Sequence, residues 1–205
     1  MRDEAVHEWA AVAAALMVDD GWSPAQAVRR ARTQLGLPAR ATPPDAAALE
    51  AAVRTHLALF HAATQPAELR ALRQTALQWM QRLVAFAPLL GGAVWHGTAT
   101  RHNDIHLQLF SDDPKAVEVA LLDAGVPYEA QQASGALGRE VPVLSLAVRC
   151  ADWNEPVGLH LWINDTRAQR GARLPDALGR VPRGTVAEVR ALLAAETAPA
   201  PMEEP

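Results

Sequence analysis

The chain has 205 residues, of which half are hydrophobic and a fifth are charged, as is typical of a folded globular protein. Its net charge of −4 gives no overall attraction to nucleic acid, and its single cysteine, Cys150, excludes an intramolecular disulfide and a cysteine zinc cluster. The N-terminus is a poor secretion signal, and no window approaches the roughly 20 apolar residues of a membrane span. The sequence therefore predicts a soluble, cytoplasmic protein of bacterial type.

The first half of the chain shows the apolar spacing of helices. Clear stop and start signals divide it: Gly36 ends one helix, and Ser23-Pro24 and Asp45 each cap the start of another. Four helices are predicted, at 4–18, 25–35, 45–61 and 64–86. The first two form a hairpin for which packing is favoured over a DNA-binding helix-turn-helix with contacts at Arg29, Arg30 and Arg32.

After Pro88 the pattern changes to that of strands. Residues 104–110 alternate cleanly, so that Ile105, Leu107 and Leu109 face one way. Further strands are predicted at 89–95, 126–132, 141–148 and 157–163, and helices at 115–124 and 185–195. The sequence thus predicts an α+β fold in which a helical layer packs on a small mixed sheet. The predicted regions are an N-terminal helical region at 1–86, an α+β domain at 87–196 and a disordered tail at 197–205.

One segment of the second half carries a motif. A Gly97-Thr98 turn is predicted to join a buried strand to the alternating strand, which begins Asp104-Ile105-His106. The segment resembles the nucleotidyltransferase superfamily with the DNA polymerase beta-like fold. The mark of that family is a hydrophobic residue, Gly, then Gly or Ser, followed downstream by Asp-x-Asp or Asp-x-Glu on the next strand. The resemblance covers about residues 89–163.

The resemblance implies a set of functional residues. In that family the Gly and the small hydroxyl residue hold the nucleotide phosphates, and the paired carboxylates bind two magnesium ions. Gly97 and Thr98, with Arg101 nearby, would then contact the phosphates of a nucleotide or another phosphate ligand. Asp104 and His106 would be the catalytic residues of metal-dependent nucleotidyl transfer to an acceptor, nucleic acid or protein, that the sequence does not define.

Two histidines replace carboxylates of the family pattern. His106 stands where the second carboxylate is expected, and His160 stands on a later strand that often carries a third. Imidazole suits zinc or manganese better than magnesium, so a divalent metal, Mg, Mn or Zn, would be held by Asp104, His106 and His160. Asp152 and Glu155, which flank that strand, are the other candidates for a second carboxylate.

Three interpretations of this face stay open. It is a metal centre, or a nucleotide or phosphate site that carries out no transfer, or a set of ordinary strand and turn residues. A function of a different class, a non-catalytic interaction or regulatory module on a degenerate nucleotidyltransferase fold, also fits the loss of the carboxylate pair. Trp162 shares the face of His160 and is the aromatic residue predicted to stack on a bound base.

Overall fold

The computed structural model describes residues 2–135, 139–153, 155–176 and 179–196, so the predicted disordered tail at 197–205 lies outside the described residues. The described residues form seven α-helices and one five-stranded mixed sheet, which confirms the predicted α+β class. The helices are α1 (Arg2–Asp19), α2 (Pro24–Gln34), α3 (Ala46–Phe60), α4 (Gln65–Arg82), α5 (Gly92–His96), α6 (Pro114–Asp123) and α7 (Val186–Ala195). The strands are β1 (Leu89–Gly91), β2 (Ile105–Phe110), β3 (Glu129–Ser134), β4 (Glu140–Arg149) and β5 (Pro156–Asn164). None of the described helices is long and apolar enough to cross a membrane.

The chain divides into two compact units. The helical unit comprises Met1–Leu69 with Thr98–Asn103, and the sheet unit comprises Arg70–Gly97 with Asp104–Pro205. The division falls inside α4, whereas the sequence places the domain boundary between residues 86 and 87. The apolar spacing in the sequence changes only where the helices end and the strands begin. The second part of α4 nevertheless belongs to the sheet unit, because its residues, for example Arg73, make their contacts there.

The helical unit is built on α1, which packs against both α2 and α3. Trp9 is buried and its Nε1 donates a 2.8 Å hydrogen bond to the Val28 carbonyl oxygen. The predicted helix starts are confirmed: Pro24 opens α2, and Asp45 Oδ1 accepts a 2.8 Å hydrogen bond from the backbone N–H of Ala48 at the start of α3. The apolar face of α2 is buried against α1, so packing accounts for this helix pair.

The sheet has the strand order β1-β2-β5-β4-β3, in which only β2 and β5 are parallel. The alternation predicted for β2 is confirmed, because Ile105, Leu107 and Leu109 are fully buried on one face. The other face carries the polar and aromatic residues of both central strands. There His106 lies opposite His160, and Gln108 lies opposite Trp162. This less buried face is the one on which functional residues are predicted.

The strand predicted at 89–95 is wrong beyond its third residue. Only Leu89–Gly91 is a strand, and α5 follows at once with Gly97 as its left-handed C-cap, at φ 81°. Gly97-Thr98 is therefore not a turn between two strands. The run is apolar because β1 is buried and α5 buries Val94, and Gly92, at φ 69°, supplies the left-handed backbone that turns the chain from one to the other.

Candidate functional site

A chain of polar contacts crosses the less buried face of the sheet. His160 Nε2 lies 3.1 Å from Asp104 Oδ2, and His160 Nδ1 lies 2.8 Å from Ser145 Oγ on the neighbouring strand β4. In a neutral ring that donates to the carboxylate, Nδ1 accepts from the serine hydroxyl. Asp104 can come this close because residue 158 is Gly: a Cβ at Gly158 would lie 2.4 Å from Asp104 Oδ1. Both ring nitrogens of His160 are thus already engaged.

His106 stacks on His160. The two ring centroids are 5.0 Å apart with an interplanar angle of 21°, and the Trp162 ring centroid lies 6.5 Å from that of His106. Hydrogen bonding by His160 lowers the pKa of Asp104, outweighing partial burial, and the charges of His160 and His106 and a Gly158 backbone hydrogen bond add to this. Burial lowers the pKa of His106, helped by the charge of His160 and opposed by that of Asp104. The face therefore pairs a carboxylate with a neutral imidazole at neutral pH.

The lowered pKa of His106 predicts how stability depends on pH. The unfolded imidazole takes up its proton near pH 6.5, whereas the folded one does so only at lower pH. The stability contributed by the neutral ring is therefore present above about pH 6.5 and is lost as the pH falls through the folded pKa. His106→Gln should weaken the dependence of the free energy of unfolding on pH between about 7.5 and 5.5, measured by urea unfolding. His102→Gln, at an exposed histidine, should keep the wild-type slope; an unchanged slope in His106→Gln contradicts the prediction.

A cleft of about 360 Å³ opens beside this face, between β1, α5 and the central strands. Its lining residues are Gly91, Gly92, His96, His106, Gln108, Trp162, Pro182 and Arg183. Arg183 is only partly exposed, and its Nη1 donates a 2.7 Å hydrogen bond to the Ala172 carbonyl oxygen, which fixes the guanidinium at the cleft. Trp162 Nε1 is the one buried side-chain nitrogen or oxygen without a hydrogen-bond partner in the part of the chain that the structure describes. We call this the Arg183 cleft.

That Asp104, His106 and His160 hold one metal ion stays a prediction. The lone pairs of an imidazole lie in the plane of its ring. Because the rings of His106 and His160 are stacked, their lone pairs lie in nearly parallel planes and do not converge on one point. Magnesium prefers oxygen ligands, of which this set offers the single carboxylate of Asp104. Among the described residues, one group of three has its ligand atoms within 4.8 Å of one another, and it is Asp19, His56 and His61. Asp152 and Glu155 are exposed and lie in the connection from β4 to β5.

No protein-family model matches the chain, and no curated protein matches it. Among solved structures it is similar to the Cid1 poly(U) polymerase with bound MgGTP (13% identity, TM-score 0.36), covering 57% of this chain and 38% of that one. It is also similar to Cid1 in complex with the UTP analog UMPNPP (15% identity, TM-score 0.34, 58% and 38%). A cytoplasmic RNA terminal U-transferase gives 19% identity, a TM-score of 0.34, and coverage of 57% and 35%. The chain thus spans little more than a third of these structures, and its own family stays a proposal.

The structure divides the predicted phosphate-binding residues between the units. Gly97 lies in the sheet unit, as do Asp104, His106 and His160, whereas Thr98 and Arg101 lie in the helical unit. The backbone N–H of Arg101 is used within that unit, where it donates a 3.1 Å hydrogen bond to Glu68 Oε2. The prediction for Gly97, Thr98 and Arg101 remains untested by this arrangement.

Sequence reasoning missed a second occurrence of the glycine pattern. Leu90-Gly91-Gly92 also consists of a hydrophobic residue, Gly and Gly, and it spans the junction at which β1 ends and α5 begins. Gly91 is paired with His106 across the two strands, and a Cβ at Gly92 would lie 3.6 Å from His106 Cδ2. The signal was present in the sequence, but it was hidden within what looked like a single buried strand.

Proposed function

We propose that the sheet unit is a nucleotidyltransferase-like domain that binds a nucleotide or another phosphate ligand in the Arg183 cleft. The supporting observation is that one cleft brings together a guanidinium, an indole and an imidazole, at Arg183, Trp162 and His106. Such a ligand offers an anionic group and, when it is a nucleotide, a flat base. The three side chains supply the matching interactions, which are charge-assisted hydrogen bonds and stacking.

The glycines of the Leu90-Gly91-Gly92 pattern support the same location. Gly91 and Gly92 line the cleft, and the exposed Gly92 leaves room for a ligand to approach the backbone. The Arg183 side chain lies against Gly91, where a Cβ would be 3.5 Å from Arg183 Cγ. We therefore favour Gly91, Gly92 and Arg183 over Gly97, Thr98 and Arg101 as the phosphate contacts.

Binding without nucleotidyl transfer is the activity that we propose. Two-metal catalysis of phosphoryl transfer needs oxygen ligands for both ions, and Asp104 is engaged with His160 beside a stacked His106. The alternative, a metal-dependent transferase, requires Asp104 and His106 or His160 to release these contacts and take a divalent ion, Mg, Mn or Zn. We place the protein in the cytoplasm, where nucleotides are present. An acceptor, nucleic acid or protein, is needed only if the domain is a transferase.

Calorimetric titration with each nucleoside triphosphate, with and without Mg²⁺, Mn²⁺ or Zn²⁺, tests the proposal. Arg183→Gln should weaken binding about 10- to 100-fold, because a charge-assisted hydrogen bond contributes about 1.5–3 kcal/mol. Arg101→Gln is the matched variant at the sequence-predicted position and should bind as the wild type does. Loss of binding in Arg101→Gln alone, or no binding by the wild type, contradicts the proposed cleft.

Asp104→Ala separates the two alternatives. If the domain binds without transfer, binding in the absence of metal should be unchanged in this variant, since the carboxylate then serves His160 and not an ion. A metal-dependent gain in affinity that Asp104→Ala removes would favour the transferase. Incubation with labelled triphosphate and detection of released pyrophosphate gives the direct readout of transfer.

A further inference from the structure

Three titratable side chains meet at one end of the helical unit. Asp19 is the last residue of α1, His56 lies in the last turns of α3, and His61 is the C-cap of α3. Packing of α1 on α3 brings them together: Ala14 and Val18 of α1 are buried in one cluster with Val53 and Leu57 of α3. The two helices thus run in the same direction and end side by side.

The two imidazoles point their Nε2 atoms at the same carboxylate. His56 Nε2 lies 3.1 Å from both Asp19 Oδ1 and Asp19 Oδ2, and His61 Nε2 lies 2.7 Å from Oδ1. The ring centroids of the two histidines are 5.7 Å apart. These ligand atoms all lie within 4.8 Å of one another. In a tetrahedral zinc site, bonds of about 2.0–2.1 Å place ligand atoms about 3.3 Å apart, so each separation between a histidine nitrogen and the carboxylate would widen by about 0.2–0.6 Å to admit an ion.

We propose that Asp19, His56 and His61 form a binding site for one first-row divalent metal ion of the class that accepts imidazole, such as Zn²⁺ or Co²⁺. Two imidazoles and a carboxylate are a ligand set that such ions take and that magnesium and calcium do not favour. The side chain of Asp19 is 44% exposed, so the fourth position is open to water. The site is independent of the Arg183 cleft, since all three ligands belong to the helical unit.

The electrostatics of this corner favour a cation. An aspartate is ionised at neutral pH, so Asp19 brings a negative charge to this corner. The C-termini of α1 and α3 both end here, and a helix C-terminus carries about half a negative charge. A metal ion would be attracted to these groups as well as to its three ligands.

The competing explanation is an ion pair in which both histidines only hydrogen-bond to Asp19. Titration of the full chain, first stripped with a chelator, with Zn²⁺ by calorimetry and with Co²⁺ by visible absorption separates the two. The metal-site proposal predicts one equivalent bound, with Co²⁺ bands typical of nitrogen and oxygen ligands. Loss of a supporting residue near a metal typically costs 10- to 100-fold in affinity, so loss of a direct ligand should cost at least about 100-fold.

His61→Ala and Asp19→Asn are the informative variants, because His61 follows the helix and Asn keeps the shape of Asp. Both should lose the Co²⁺ bands and weaken Zn²⁺ binding while far-ultraviolet circular dichroism stays unchanged. His102→Ala is the matched control and should bind as the wild type does. The proposal is overturned if the wild type binds no equivalent, if both variants bind at full strength, or if His102→Ala alone loses the ion. None of these outcomes bears on nucleotide binding at the Arg183 cleft.

Discussion

Replacing Arg73 by Ala is expected to lower the free energy of unfolding by about 2–6 kcal/mol, because two carbonyl groups lose their buried donor at about 1–3 kcal/mol each. Arg73 is 6% exposed. Its Nε donates to the Val94 carbonyl oxygen at 3.1 Å and its Nη2 to the Trp95 carbonyl oxygen at 3.2 Å, while its Nη1 pairs with Glu196. The variant would leave two carbonyl groups of α5 and one carboxylate without their donor.

Urea unfolding followed by tryptophan fluorescence and by circular dichroism measures this loss. Arg82→Ala is the matched control, because Arg82 lies on the same helix and only covers the Trp79 ring from outside, 5.0 Å from its centroid. An exposed cation over an aromatic ring contributes about 0.5–1 kcal/mol. If Arg73→Ala cost no more than Arg82→Ala, the buried guanidinium would not be what holds α5 in place.

Replacing Gly184 by Ala should cost about 3 kcal/mol, at the upper end of the range for overpacking a core. The new Cβ would lie 2.0 Å from Cζ3 of the Trp95 ring. Neither side can easily give way. Gly184 exchanges two backbone hydrogen bonds with Leu90, of 2.9 and 2.8 Å, and the Trp95 indole N–H is tied to the Val181 carbonyl oxygen at 2.8 Å.

Gly171→Ala is the control for this substitution. Gly171 is exposed, has φ −94°, and would place a Cβ no closer than 3.9 Å to another atom, the Leu174 Cδ1. Its replacement should change the stability by less than about 1 kcal/mol, and in the stabilising direction if the unfolded chain loses freedom. If Gly184→Ala and Gly171→Ala had the same free energy of unfolding in urea, the Trp95 ring would be able to move away from a Cβ at position 184, and the prediction would be wrong.

Both positions frame the Arg183 cleft. Arg73 holds the carbonyl groups of α5, the helix that follows Gly91 and Gly92, and Gly184 ties the segment that carries Arg183 to β1. Substitution at either should therefore disturb nucleotide binding as well as stability. The cleft residues Arg183 and Trp162, by contrast, should affect binding more than folding.

Elements with strong local signals could be predicted from the sequence. The helix start at Thr185 is an example: its hydroxyl accepts from the backbone N–H of Glu188, and the Glu188 side chain accepts in return from the Thr185 backbone N–H. The alternation of β2 is another, since polar and apolar residues alternate only when one face of a strand is buried. Both signals lie within a few residues of the element they define.

Short elements could not be predicted in this way. β1 has three residues and α5 has five, so each contains little more than one period of its pattern, which is about 2 residues for a strand and 3.6 for a helix. The run from Leu89 to Trp95 is mostly apolar and therefore reads as one strand. The Leu90-Gly91-Gly92 pattern was overlooked for the same reason.

Contacts between distant parts of the chain were predictable only in part. The approach of His106 to His160 was expected from their strand positions, and the structure pairs them directly. Ser145 and Arg183 were not foreseen, because their contacts depend on which strands are neighbours and on a loop that returns to β1. Asp19 and His61, 42 residues apart, meet only through helix packing.

Nucleotide binding in the Arg183 cleft is tested most directly by the indole N–H signals of the six tryptophans. A ¹H–¹⁵N correlation spectrum, recorded during titration with a nucleoside triphosphate and assigned with Trp162→Phe, reports on each ring. The Trp162 signal should shift with saturation, while the signals of Trp9 and Trp22 in the helical unit stay in place. An unchanged Trp162 signal at saturating ligand, or shifts confined to Trp9 and Trp22, would contradict the proposed site.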